Sequence, residues 1–262
     1  MYVAPEPVAE ATDALWSFLR DYLRDAGATD VPAELDQTMA YRDAWLQPNL
    51  LLSQTCGYPY LKSLRGKVRL LATPCYAYPG CYGASMRSFV VTNRQAGFTS
   101  LEDLRGGIAA VNSRESNSGY NLFRAALAPV ARGVPFFGAV IETGGHVASI
   151  SAVAEGRADC AAIDCITYGN IMRHAPRQLV DISILAETPS GPGLPFITRA
   201  SASDRDVEIL RAALRGAIDE PSLAGTRDRL GLVDFALLSD SDYDDLLQLE
   251  RNAAELGYPV IA

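Results

Sequence analysis

From residue 8 to residue 26 the apolar side chains Val8, Ala11, Leu15, Phe18, Leu19, Tyr22 and Leu23 recur every three or four positions. That spacing lines one face of an α-helix, and Gly27 supplies a stop. Short apolar runs follow at 50–52, 68–72 and 88–92 and read as strands. The first is followed by the turn-rich segment 54–60, and residues 73–85, with Pro74, Tyr76, Tyr78, Pro79 and Gly80, read as a loop. Residues 99–102, Thr-Ser-Leu-Glu, predict a capping box and a short helix.

Beyond it the pattern alternates: strand 107–111, helix 118–131, strand 138–142, helix 147–155, strand 160–163, helix 166–173. Alternation of this kind predicts a parallel sheet with right-handed crossovers. The loops after its three strands carry 112–118, 143–146, and Asp164 with Thr167. All three sit at carboxyl ends of strands, where open α/β sheets bind ligands, so these polar groups are expected to share one crevice. Strands at 182–186 and 196–198 flank a Pro- and Gly-rich stretch, 188–195, and helices at 204–218, 222–230 and 241–256 complete the chain. The pattern predicts two lobes joined by two crossing segments.

The most informative chemistry lies at 109–120, where an apolar strand runs into Ser116, Asn117 and Ser118 at the opening of a helix. A helix start leaves backbone N–H groups without intrahelical partners and carries partial positive charge, so it can cradle an oxyanion without a cationic side chain. The plainer alternative is that one of these residues caps the helix. His146 and Asp164 have the same two readings, ligand contact or helix cap.

Composition narrows the classes. With 48% hydrophobic and 21% charged residues, the chain has the make-up of a folded, soluble globular protein. A net charge of −8 argues against a nucleic-acid partner. The only lysines, Lys62 and Lys67, lie outside any phosphate-binding glycine loop. Five cysteines and two histidines, at spacings that match no zinc site, predict neither a metal nor a cofactor. No apolar run approaches the roughly 18 to 20 residues of a membrane span. Residues 1–6 lack the features of a signal peptide, so the expected location is cytoplasmic, or the chain is already processed.

The ordered series 53–57 (SQTCG), 79–81 (PGC), 100–106 (SLEDLRG), 116–120 (SNSGY), 145–146 (GH) and 156–164 (GRADCAAID) resembles the phosphate/phosphite/phosphonate-type solute-binding proteins of ABC importers, the PhnD-like group. The likeness runs from about residue 50 to 198. It implies the α/β type II periplasmic-binding-protein fold, with two α/β lobes, 1–88 with 194–262 and 89–193, joined by a two-segment hinge around a ligand cleft. It also implies a monomeric, extracytoplasmic receptor without catalysis, which captures a small oxyanion of the phosphonate or phosphate class and delivers it to an ABC transporter permease. Within that family reading Ser116, Asn117 and Ser118 cradle the oxyanion and His146 reaches it from the next loop. Gln54, Thr55 and Tyr58 face it from the first lobe, and Asp164 accepts hydrogen bonds from a protonated oxygen or an amino group. A carboxylate there rejects fully ionised ligands and selects one that still carries a donor.

Two features depart from the family. Met86 precedes the strand where an aromatic residue commonly lines the pocket, leaving Tyr82 as a displaced candidate, and the chain starts almost at the first helix. The resemblance also brings Cys56 and Cys81 to one end of the first lobe and implies a disulfide in an exported protein, while Cys160 and Cys165 read as inert packing residues. Two other functions stay open: a cytoplasmic or peripheral ligand-sensing module, and an enzyme using Cys165 or Ser118 as nucleophile with His146 as base.

Overall fold

The first helix ends as its sequence dictates: Gly27, at φ +84°, takes the left-handed turn, while the Gly27 and Ala28 N–H groups return to the carbonyls of Arg24 and Leu23. In chain order the principal elements are α1 (Glu6–Asp25), β1 (Ser53–Gln54), β2 (Val68–Tyr76), β3 (Ser88–Asn93), β4 (Ile108–Val111) and α2 (Leu122–Ala131). There follow β5 (Ala139–Glu142), α3 (His146–Ala154), β6 (Cys160–Asp164), α4 (Cys165–His174) and β7 (Ile182–Glu187). The last are β8 (Phe196–Arg199), α5 (Asp204–Asp219), α6 (Ala224–Leu230), β9 (Leu232–Ala236) and α7 (Asp245–Glu255). This computed structural model describes residues 2–262, which form two units.

Unit one holds residues 2–77, 82–84 and 193–242. Its sheet runs β1-β8-β2-β9, every neighbouring pair antiparallel. The apolar stripe of α1, including Val8, Leu15, Leu19 and Leu23, packs with Leu210 and Leu214 of α5 and with Leu71 and Phe196 of the sheet. Two expectations change here. Leu50 to Leu52 form no strand: the Leu50 carbonyl accepts from Arg199 N and Thr198 Oγ1, and ladder pairing begins only at Ser53. The loop expected from residue 73 is instead the second half of β2, because β9, a strand the pattern did not reveal, pairs with residues 73–76. Pro74 is tolerated because β8 reaches only to Ala72, so β2 is an edge on that side and one missing N–H breaks no ladder there.

Unit two holds residues 78–81, 85–192 and 243–262. Its sheet runs β5-β4-β6-β3-β7, with β4 parallel to both β5 and β6. The crossovers expected between 107 and 173 are present, but the sheet is mixed: β3 is antiparallel to β6 and to β7. β3 lies outside the strand–helix–strand run, so no crossover fixes its direction. The short helix after Thr99 is capped by Ser100 with Asp103, one position later than the Thr99–Glu102 box.

The pattern grouped 243–262 with the first lobe, whereas these residues build the core of unit two. Ala253, Tyr258 and Ile261 pack with Phe123, Leu127 and Phe136. Asn121 Nδ2 donates to Leu246 O at 3.0 Å, and the buried Arg124 donates through Nη1 to Pro259 O at 2.8 Å and through Nη2 to Asn121 Oδ1 at 2.6 Å. The Tyr120 hydroxyl accepts from Ile261 N at 3.1 Å. These polar partners, remote in sequence, direct the tail onto α2. Ile261→Ala removes a side chain that is 1% exposed and is expected to cost about 2 to 5 kcal/mol, read as a lowered urea midpoint.

Candidate functional site

Because β4, β5 and β6 run parallel, the residues that follow them emerge at one end of the sheet. Each strand leads to a helix start there. After β4, Ser116 occupies the N-cap of a wide helical turn (Asn117–Asn121) that continues into α2. After β5, Gly145 is the N-cap of α3 and His146 its first residue. Asp164, the last residue of β6, is the N-cap of α4. The turn at 117–121 is wide because Asn121 N returns to Ser116 O, five residues back, a geometry that occurs often at functional sites.

These helix starts meet at the His146 ring. Its Nε2 lies 2.9 Å from Ser118 Oγ, 3.3 Å from Asp164 Oδ2 and 3.4 Å from Asn112 Nδ2. Burial pushes the His146 pKa below its ordinary value; the charge of Asp164 and the Ala162 carbonyl oppose that shift without reversing it. The ring is therefore neutral at physiological pH. A neutral imidazole offers either one lone pair or one proton at Nε2, so these neighbours compete for a single direction.

Gly119 makes this approach possible: a Cβ there would sit 1.9 Å from Asn112 Oδ1 and 3.2 Å from His146 Cε1. Ser88 faces Asp164 across the β3–β6 ladder and donates to Ser118 O at 2.9 Å, fixing the cradle from below. Asp164 accepts from Thr167 N at 2.8 Å through Oδ1 and from the Thr167 hydroxyl through Oδ2. Both of its expected uses are thus open to it, as helix cap and as a carboxylate beside the site. Ser116 is likewise a cap, accepting from Gly119 N at 3.0 Å, and Asn117 Oδ1 accepts from Asn121 Nδ2 at 3.2 Å. Ser118 therefore projects to His146, while Ser116 and Asn117 hold the turn that carries it.

Gln54, Thr55 and Tyr58 lie in unit one. Gln54 Nε2 donates to Leu194 O at 3.0 Å, Thr55 N donates to Pro195 O at 3.0 Å, and Lys62 Nζ stands 5.7 Å from the centre of the Tyr58 ring. Tyr82 is 90% exposed and Met86 is buried. The sequence places Asn112 at the crevice only as part of the 112–118 loop, without singling it out, and Ser88 is outside the nominated set, because it depends on an antiparallel pairing that the pattern does not reveal.

The cysteines differ from expectation. None of the five is joined in a disulfide, the Cys56–Cys81 bond included, and Cys81 Sγ lies 3.3 Å from Cys165 Sγ. Cys165 is fully buried as expected, but its sulfur faces the partly exposed Cys81 thiol. Nor does the cluster form a catalytic triad. Ser118 and Asp164 both approach Nε2 of His146, so no carboxylate orients the ring from its other nitrogen. Among the described residues no group of three or more His, Cys, Asp or Glu could hold a metal ion, and no helix is long and apolar enough to cross a membrane.

A depressed His146 pKa makes stability pH-dependent in a defined sense. Below about pH 6.5 the unfolded chain takes up a proton that the folded ring resists, so the contribution is intact at higher pH and declines on acidification. The melting temperature of the ligand-free protein is therefore expected to fall more steeply between about pH 7 and pH 5 than that of His146→Asn. Parallel slopes would show that the buried ring does not resist protonation.

Comparison with known proteins gives this arrangement a family. The model of the periplasmic phosphonate substrate-binding proteins of ABC transporters matches residues 1–243. A binding-protein component of an ABC phosphonate transporter from Pseudomonas aeruginosa shares the fold at a TM-score of 0.76, with 18% identity over 93% of this chain and 82% of that one. PhnD1 from Prochlorococcus marinus, solved in complex with methylphosphonate, has a TM-score of 0.74 and 16% identity over 94% of both chains. A Xanthomonas citri protein bound to ATP has a TM-score of 0.68 and 17% identity over 95% of this chain and 94% of that one. No curated protein matches the sequence. The chain belongs to the phosphonate-type periplasmic substrate-binding proteins of ABC transporters, a non-catalytic family with an α/β fold.

Proposed function

We propose that this chain is the extracytoplasmic solute receptor of an ABC importer and captures a small phosphorus oxyanion, a phosphonate or a phosphate-like compound, for delivery to its permease. The observation that carries the reading is the meeting of Ser118 and His146, at two successive helix starts, with Asn112 at the end of β4. A ligand oxygen placed there gains hydroxyl, amide and backbone N–H donors in a buried setting, where hydrogen bonds to a charged oxygen are strong. Gln54, Thr55 and Tyr58 are proposed as further ligand residues, with Ser116 and Asn117 supporting the cradle.

Asp164 sets the selectivity in this reading. Its carboxylate, 3.3 Å from His146, repels a fully ionised oxyanion and welcomes one that brings its own proton or an amino group. A phosphonate or phosphate monoanion satisfies that condition near neutral pH, and sulfate does not. The same constraint explains how an acidic protein can bind an anion without a lysine or arginine in the cluster: shape and donor placement replace net charge.

Titration calorimetry of ligand-free protein with phosphate, phosphite, methylphosphonate, 2-aminoethylphosphonate, sulfate and a simple sulfonate tests the proposal. Micromolar or tighter binding of one phosphorus oxyanion, recovered chemically unchanged, is expected; binding of none of them overturns the ligand class. Ser118→Ala is expected to weaken that binding by about 1 to 3 kcal/mol, the cost of losing a hydrogen bond to a charged oxygen. Gly119→Ala drives a Cβ into Asn112 and is expected to abolish binding while far-ultraviolet circular dichroism stays native. Asp164→Asn retains a capping side chain, and sulfate should gain affinity relative to the phosphorus ligand.

A further inference from the structure

The thiols of Cys81 and Cys165 face each other at 3.3 Å in unit two, although 84 positions separate them in the chain. Their backbones are held independently. Cys81 N donates to Tyr78 O at 3.0 Å, closing the turn that carries it, and Cys165 N donates to Arg87 O at 3.1 Å. Gly80 lets the two strands of chain approach: it adopts φ +90°, and a Cβ there would lie 2.8 Å from Cys165 Cβ. A disulfide needs its sulfurs at about 2.05 Å, so closure asks for about 1.2 Å of further approach. From this geometry we infer that Cys81 and Cys165 are a redox-active pair that closes to an intramolecular disulfide, pinning the 78–81 turn to the start of α4.

The thiols are unequal. Cys81 is partly exposed, whereas Cys165 is fully buried. Hydrogen bonding from the Cys165 thiol also holds the Cys81 pKa below its ordinary value. Cys81 is therefore the attacking sulfur. With a small disulfide as oxidant, the Cys81 thiolate attacks one of its sulfurs and forms a mixed disulfide while one small thiol leaves. Cys165 then attacks Cys81 Sγ, forming the protein disulfide and expelling the second small thiol. Two protein thiols lose two electrons and two protons in all, and the oxidant is reduced to two thiols. The bond adjoins Asp164, the cap of α4, so oxidation fixes the helix start that also faces His146.

The test is treatment of the native full chain with oxidised glutathione, followed by blocking of free thiols and non-reducing peptide mapping. A cross-linked Cys81–Cys165 peptide pair is expected, with Cys56, Cys75 and Cys160 recovered as blocked thiols and a melting temperature raised by several degrees, since a long loop is closed. Cys165→Ser is expected to stop at a glutathione adduct on Cys81. Recovery of all five cysteines as free thiols, or a Cys56–Cys81 cross-link, would overturn the inference. Because the wild-type chain gives the decisive readout, a poorly folding variant does not weaken the test.

Discussion

The parallel register of β5, β4 and β6 is the constraint on which the site depends. Once Ile108 to Val111 pair with Ala139 to Glu142, and Ala109 with Cys160, every polar residue after those strands must emerge at the same end. Right-handed crossovers then return each chain segment through a helix whose start faces that end. Helix starts separated by dozens of residues become neighbours without any local sequence signal that they should. Ser118, His146 and Asp164 owe their contact to the sheet, and the sheet owes its register to apolar residues such as Ala109, Ala110, Val111 and Ile163 that are buried on both faces.

Much of this was legible in the chain. The stripe of α1 and the alternation from 107 to 173 rest on periodicity, which follows directly from burial of one helix face or of a whole strand. The resemblance identified the family and grouped Ser118, His146 and Asp164, whose side chains do meet at the His146 ring. What escaped was set by partners remote in sequence. β9, Leu-Val-Asp-Phe-Ala, is an apolar run of only five residues, too short for periodicity to tell it from a helix segment; it becomes a strand through its pairing with Thr73 to Tyr76. The tail from 243 reads as an ordinary amphipathic segment, and only Asn121, Arg124 and Tyr120, which hold its carbonyls and N–H groups, decide which core it joins. The Cys81–Cys165 contact is of the same kind, created by a glycine turn that the spacing of cysteines does not encode.

Close approach and an irregular turn mark this loop more sharply than residue chemistry does. Serines and asparagines at a helix start are common caps, and Ser116 and Asp164 do cap. What distinguishes this loop is that Gly119 presses against Asn112 and that the turn is widened at Asn121. Both features cost conformational freedom or hydrogen-bond regularity, and neither is needed to end a strand and begin a helix. They gather several donors around one point, which is the property an oxyanion uses.

The same geometry withholds from Ser118, His146 and Asp164 the alignment that catalysis needs, in keeping with a non-catalytic family. A general base must be aligned by a group on its far nitrogen while its near nitrogen takes the nucleophile's proton. Here Asp164 and Ser118 crowd the same nitrogen of a neutral, buried ring. Protonation of that ring by a serine is opposed by burial, so the hydroxyl keeps its proton and serves as a donor. An oxyanion bound as proposed would change the balance: its negative charge favours the imidazolium, and the Ser118 hydroxyl and Asn112 amide can turn to its oxygens. On the proposed function the cluster responds to a charged ligand by reorienting hydrogen bonds, with no nucleophile generated.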